Sequence, residues 1–448
     1  MIGQLRRWAR WLRPGLGLKR WALVLGAGIL LISGGVALAA DVSPLASLDR
    51  LVLRLLSTLV PAGGSLPPLV VGLLLVFFGG FLVLYGLRGT LRSIDRVLFP
   101  TGNPTLVEVL RQQRTLSRGP KIVALGGGTG LSTLLRGLKR YSSNITAVVT
   151  VFDDGGSSGR LRRDLGVLPP GDIRDCLVAL AESEPLMTQL FEYRFPSGAF
   201  DGHAFGNLFI ASLAGVTGDL EQAVKEASKV LNIRGRVLPA ALDDVVLCAE
   251  YADGTVVEGE SQIPRVRRPI RRVFLKPDGV AALPEVLEAI ADADLILIGP
   301  GSLYTSVIPT LLVHGVADAL RQAPAPRIYI CNVMTQPGET DGFGAAAHVR
   351  ALLAAAGPGI ATHVLVNTQA PTNAALRRRY EAEGAVPVTA DLPELRRLIP
   401  EVITGALISE QELLRHDPEA LATAVMRFVS STTLRRAPVR KATFSIHG

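Results

Sequence analysis

Two short stretches of this chain combine residue types that hold phosphate and metal. Gly126-Gly127-Gly128-Thr129-Gly130 follows the apolar run Ile122–Leu125 and precedes a helical pattern. Glycine lets a backbone turn tightly and come close to a ligand, and the free N–H groups of such a loop and helix start face an anion. Asp153-Asp154-Gly155-Gly156-Ser157-Ser158-Gly159-Arg160 follows a second apolar run, Ile145–Phe152. It sets two carboxylates, two hydroxyls and an arginine at one strand end. Together the stretches point to a phosphorylated or nucleotide ligand. Paired carboxylates near phosphates suit Mg2+ or ligand hydroxyls, so Asp153 and Asp154 are the candidate metal ligands.

Plainer readings stand beside these. The first loop is not a Walker loop, because no Gly-Lys-Ser/Thr follows. It is not a complete dinucleotide fingerprint either, since Leu131 stands at the last glycine position. Its plainer alternative is a tight strand-to-helix turn that needs small residues. Asp153 lies 23 residues beyond Gly130, a spacing near the roughly 20 residues of a ribose-binding acid. That role needs one acid, whereas here two precede a glycine-serine turn, so no nicotinamide or flavin cofactor is expected. A self-capping aspartate turn is the bland alternative, and the run is longer than such a turn requires.

Other candidates lie further along. In Gly171-Asp172-Ile173-Arg174-Asp175, Asp172 reads as a helix N-cap or a site residue, and Arg174 suits bidentate anion binding. His203 and Asn207 fall at i and i+4, on one helical face. A lone histidine is often structural; an asparagine on the same face makes a ligand role its equal. Gly299-Pro300-Gly301-Ser302 directly follows the apolar run Leu295–Ile298, and the polar run from Asn332 through Thr335 to Thr340 follows another. Polar density after an apolar strand is typical of a ligand loop. Cys176, Cys248 and Cys331 are far apart, with no CxxC and no zinc spacing. They read as three buried thiols in a reduced compartment.

The elements that must position these residues alternate. Short β-rich runs at Ile122–Leu125, Ile145–Val151, Leu295–Ile298, Arg327–Val333 and His363–Asn367 are separated by helical patterns such as Leu131–Arg140, Leu283–Ala291 and Gly342–Ala356. The expectation is an α/β chain with a Rossmann-like, doubly wound parallel sheet. Such sheets bind ligands outside the carboxyl ends of their strands, where the three glycine loops fall. Residues 172–232 read as mostly helical. Val245–Tyr251, Thr255–Glu258 and Arg272–Leu275 read as a small β-rich insertion carrying Arg265, Arg267, Arg268, Arg271 and Arg272. A solvated face is the ordinary reading of that cluster, and an acidic partner or lipid headgroup the alternative.

The chain has 448 residues and 48% hydrophobic content. Trp21 to Ala40 and Leu66 to Leu87 contain no charged residue. Each reaches the ~20 residues that span a bilayer core of ~30 Å. Two transmembrane helices are therefore expected at about 21–40 and 66–87, within a hairpin over 1–98. A linker over 99–120 and a domain over 121–448 follow. The net charge of +8 belongs entirely to residues 1–100, which hold 11 Lys/Arg and 3 Asp/Glu. The remaining 348 residues are balanced, 36 against 36, which removes nucleic acid as a partner. Arg6, Arg7, Arg10, Arg13, Lys19 and Arg20 precede the first span, and Arg88, Arg92 and Arg96 follow the second. Positive flanks stay inside, so the large domain should face the cytosol. A signal peptide ending near Ala37-Leu38-Ala39 is the competing reading, and Leu66–Leu87 would then stop transfer. Leu45, Leu48, Val52, Leu55 and Leu59 recur at helical spacing, either as an interfacial helix or as one packed on the spans.

The runs VALGGGTGLSTLLRGLK, FDDGGSSGRLRRDLGVLPPGDIRD, GHAFGNLFIASL, IGPGSLYTSVIPTLL and CNVMTQPGETDGF resemble the bacterial gluconeogenesis-factor family, also called YvcK-like. That family sits with the 2-phospho-L-lactate transferases in a CofD-like superfamily. The resemblance covers roughly residues 120–430, and the N-terminal hairpin resembles that of membrane-tethered members. It implies a nucleotide-diphosphate site at the carboxyl edge of the sheet. The transferases move a phospholactyl group from a guanosine diphosphate donor to a deazaflavin hydroxyl with Mg2+. The gluconeogenesis-factor branch is associated with binding UDP-sugars and supporting cell shape. Carried to this chain, Gly126–Gly130 and Gly299, Gly301 and Ser302 would contact phosphate or sugar. Asp153 and Asp154 would take acceptor or metal contacts, and Asn207, Asn332 and Thr335 would line the same cleft. Asp175 stands where the family favours asparagine, which argues against a phosphate contact by that residue. Three functions therefore stand: a membrane-anchored UDP-sugar-binding gluconeogenesis factor, a phospholactate transferase-like enzyme, and a membrane scaffold, which leaves the loops unexplained. A homo-oligomer is compatible with each.

Overall fold

The computed structural model describes residues 18–40, 67–98, 106–182 and 185–436. They form two compact units, 1–113 and 114–448. The helical spacing read from Leu45 to Leu59 lies outside the described residues.

In the first unit, helices Leu18–Ala40 and Pro68–Leu98 pack antiparallel. Their apolar stretches, Arg20–Ala39 and Leu69–Ser93, are long and apolar enough to cross a membrane. The second helix runs 31 residues, about 46 Å at 1.5 Å per residue, and so continues past residue 87 through Arg88, Arg92 and Arg96. The backbones touch at paired glycines. A Cβ on Gly28 would lie 2.8 Å from the Gly79 carbonyl oxygen, and one on Gly35 would lie 2.6 Å from that of Gly72. Small residues permit this approach where packing alone must hold helices together. Leu23, Phe77, Phe81 and Leu84 point outward, exposed. A helix, Leu106–Ser117, occupies much of the stretch read as connector.

In the second unit, the strands are β1 (Ile122–Gly126), β2 (Ile145–Val149), β3 (Arg236–Pro239), β4 (Val246–Tyr251), β5 (Val256–Glu258), β6 (Ile270–Lys276), β7 (Leu295–Ile298), β8 (Arg327–Ile330), β9 (His363–Asn367) and β10 (Glu401–Gly405). Seven form one parallel sheet in the order β10-β9-β8-β7-β1-β2-β3. β1, β2 and β7 are buried at every position, as strands covered on both faces must be. The order of connection reverses between β1 and β7, which makes their carboxyl ends the place for a ligand. β4, β5 and β6 form a separate antiparallel sheet, the β-rich insertion. There Arg268 pairs with Asp253, and Arg271 and Arg272 pair with Glu250. Much of the arginine cluster is thus a solvated, internally paired face. A small second core of Val333, Met334, Ala385, Ile408 and Leu414 stands apart from the main one, under the C-terminal hairpin of β11 (Ile408–Ser409) and β12 (Arg415–His416). All three cysteines are free and buried.

Candidate functional site

β1 ends at Gly126, and helix Gly128–Leu138 begins two residues later. Gly128 holds φ at +63°, a region that glycine enters at no steric cost. A Cβ on Gly130 would lie 2.6 Å from the Pro300 carbonyl oxygen, so the loops after β1 and β7 meet there. Asn332, just beyond β8, clasps the second loop: its Nδ2 donates to the Gly301 carbonyl at 2.7 Å, and the Gly301 N–H donates to its Oδ1 at 3.2 Å. Ser302 caps the following turn, accepting from the Thr305 N–H, and donates to Glu339.

These loops floor a cleft of about 610 Å³. Five acids line it: Asp153, Asp172, Glu260, Glu339 and Glu383. Arg415 is the one arginine or lysine among the described lining residues. Asp153 Oδ1 accepts from the Gly155 N–H at 2.8 Å. Asp154 Oδ1 accepts from the Ser261 N–H at 2.8 Å, which docks the insertion onto the aspartate loop. Glu260, next to Ser261, thereby joins the pair. Carboxylate oxygens of Asp153, Asp154 and Glu260 lie within 4.8 Å of one another.

Burial raises the proton affinity of four acids here, Asp153, Asp172, Glu260 and Glu339. Burial pushes Asp172 up to about 7, with repulsion from Asp153 adding to it and a 2.9 Å hydrogen bond from Thr150 opposing it. Burial, with repulsion from Asp153 and Asp172, takes Glu260 up to about 8. Asp153 and Glu339 are raised chiefly by burial as well. Such a group of hard oxygen donors suits a divalent cation such as Mg2+.

Among the residues singled out from sequence, Gly127, Gly128, Thr129, Gly130, Asp153, Gly301, Ser302, Asn332 and Thr335 line the cleft. Gly126 and Gly299 sit at the strand ends beneath it. Thr335 spends its hydroxyl on the Val386 N–H, 2.9 Å away. Asp154 lies beside Asp153 and Glu260. Ser157, Ser158, Arg174, His203 and Asn207 are buried outside the lining. Asn207 Nδ2 donates to Ser157 Oγ at 3.1 Å, and that hydroxyl meets His203 Nδ1 at 3.1 Å. Arg174 donates to Asn207 Oδ1 at 2.9 Å and pairs with Asp175. Its charge is met by the adjacent acid. Arg160 donates to the Asp201 carbonyl at 2.7 Å. This network braces the aspartate loop from behind.

Sequence reasoning left Asp172 between cap and site. It sits inside the helix that Pro170 begins, takes a hydrogen bond from Thr150, and lines the cleft. Glu260, Glu339, Tyr380, Arg415 and His416 were missed. Glu339 stood in a polar run already read as a ligand loop, so a signal existed for it. The others carry no local motif.

A family model described as 2-phospho-L-lactate transferase CofD matches residues 122–408. A putative gluconeogenesis factor of Nostoc is 48% identical over 429 residues, 95% of this chain and 93% of that protein. The gluconeogenesis factor of Bacillus subtilis is 50% identical over 313 residues, 69% of this chain and 98% of that protein. An X-ray crystal structure of a Bacillus halodurans protein superposes with a TM-score of 0.67 at 49% identity, covering 69% of this chain and 100% of that one.

Proposed function

This chain belongs to the gluconeogenesis-factor branch of the CofD family, and from that premise we propose that it binds a UDP-sugar with Mg2+ in the cleft at the carboxyl ends of β1 and β7. One observation carries the reading: an amide-rich glycine loop opens onto a cleft lined by five acids. A diphosphate would find donors at the loop but repulsion from the carboxylates. A cation between them resolves this conflict. Asp153, Asp154 and Glu260 would hold it, and it would neutralise phosphate charge. The Gly299–Ser302 loop then faces the phosphate or sugar. Tyr380 and Arg415, which line the same cleft, would meet the base and supply a countercharge.

A second reading, phospholactyl transfer from a nucleotide-diphosphate donor, is favoured by the description of the matching family model. Turnover of such a donor would distinguish it from binding alone.

The hairpin anchors the domain to a membrane, with the domain on the cytosolic side, on the strength of helix length, apolar outward faces and basic flanks. The Nostoc relative spans 95% of this chain, whereas the Bacillus subtilis one leaves about a third without a counterpart. Support of cell shape and carbon metabolism at the membrane fits this placement.

The test is thermal denaturation of the full-length chain with Mg2+ and UDP-GlcNAc, GDP or NAD. A ligand at 100 times its Kd stabilises by about 2.7 kcal/mol. UDP-GlcNAc should raise Tm and NAD should not, and Tyr380→Ala or Arg415→Ala should reduce that rise. Equal response of both variants and wild type would remove Tyr380 and Arg415 from the site.

A further inference from the structure

Four buried side-chain polar atoms lack a hydrogen-bond partner among the described residues: Arg160 Nε, Arg327 Nε, His348 Nε2 and His416 Nε2. Of these residues, His416 alone lines the cleft. It is 5% exposed, at the end of β12 beside Arg415. Its ring bonds to the main chain of Cys331, and because Nε2 has no partner, that bond falls to Nδ1. Burial lowers its proton affinity to about 4, so near neutral pH the ring carries one proton. The Cys331 carbonyl holds that proton on Nδ1, which leaves Nε2 as a bare acceptor.

We propose that His416 is a specificity-determining residue whose Nε2 accepts a hydrogen bond from an N–H or O–H of the bound nucleotide sugar. This rests on the nucleotide-sugar reading above and adds to it what the far end of the cleft selects. A buried acceptor discriminates most strongly against an analogue that brings no donor, because it is then left unpaired. Uracil presents an imino N–H; cytosine presents a lone pair at the same ring position and would face Nε2 acceptor to acceptor. A sugar hydroxyl supplies the same donor chemistry from the other end of the ligand.

The wall that carries His416 can settle onto a ligand. Helix Ala374–Glu383, which brings Tyr380 and Glu383 to the cleft, has no buried residue. Leu376 and Tyr380 rest on the small second core. Glu410 ties the two halves of the wall, accepting from the Thr372 N–H at 2.9 Å and from the Asn373 N–H. Elements with few buried apolar contacts are those that move at low cost.

The experiment is calorimetric titration of the full-length chain, with Mg2+, by UDP-GlcNAc, UDP and CDP. In wild type, UDP should bind at least tenfold more tightly than CDP if the base supplies the donor. UDP-GlcNAc should bind at least tenfold more tightly than UDP if the sugar does. In His416→Ala that margin should fall to about twofold. As a second measurement, the Nε2 resonance of 15N-histidine-labelled wild type should move upfield when UDP-GlcNAc is added, as an acceptor nitrogen does on gaining a proton donor. Margins retained in His416→Ala, wild-type affinities within twofold of one another, or an Nε2 resonance unmoved while UDP-GlcNAc binds would each overturn the proposal. Absence of any nucleotide binding by wild type would overturn the nucleotide reading itself, and this inference with it.

Discussion

Replacing Asp153 with asparagine and Glu260 with glutamine together is expected to lower affinity for the Mg2+-loaded nucleotide sugar at least hundredfold while raising the Tm of the ligand-free protein. The two effects share one cause. When ionised, Asp153 and Glu260 repel each other and Asp172 in a half-buried cleft, and either protonation or a cation relieves that repulsion. Neutral amides relieve it, and the amide at position 153 keeps an oxygen for the Gly155 N–H. The same amides are poor ligands for Mg2+. The pH dependence follows in sign. Asp172 and Glu260 have folded-state pKa values of about 7 and about 8, above their ordinary values of 3.8 and 4.5. Between those limits the unfolded chain releases its protons first, so ligand-free stability falls as pH rises from about 4 to 8. Cation binding needs the ionised carboxylates, so affinity rises between pH 6 and 8. The double variant should flatten both curves. Denaturation and calorimetry across that range check this. A lower Tm with unchanged affinity would make these acids structural.

Gly128→Val is expected to cost at least hundredfold in nucleotide affinity, with a Tm loss of no more than a few degrees. At φ +63°, a β-branched residue bears a strain of about 1–2 kcal/mol. The added Cβ meets no protein atom closer than Asp172 Oδ1, at 3.8 Å. The space it would take is the cleft itself. Gly130→Val is the contrast, since its Cβ would press on the Pro300 carbonyl and should lower Tm as well. Affinity that survives Gly128→Val in folded protein would reduce the loop to a turn.

What was legible in the sequence divides along physical lines. β1, β2, β7, β8 and β9 announce themselves because a strand buried on both faces needs a continuous apolar run. β3, Arg236–Pro239, offers two apolar residues between an exposed arginine and a proline, and β10 is a half-exposed edge strand with Glu401 and Thr404 outward. Neither leaves such a run. The apolar helices were legible from hydropathy, whereas the Gly28–Gly79 and Gly35–Gly72 contacts depend on how two helices face each other. At the site, the glycine and aspartate loops are local chemistry and could be read locally. Ser157, His203 and Asn207 have ligand-like residue types, yet they satisfy one another in a buried network. Glu260 reaches the cleft from the insertion, Tyr380 from helix Ala374–Glu383, and Arg415 and His416 from the C-terminal hairpin. No spacing within the sequence encodes that convergence.

The central claim is that an acidic cleft takes a nucleotide-diphosphate sugar through a cation. Its most direct test is calorimetric titration of the full-length chain with UDP-GlcNAc at neutral pH, once with Mg2+ and once with a chelator. One ligand should bind per chain with Mg2+, and affinity should be at least tenfold weaker, or lost, without it. Equal affinity in the two titrations, or no binding with Mg2+ present, would contradict it.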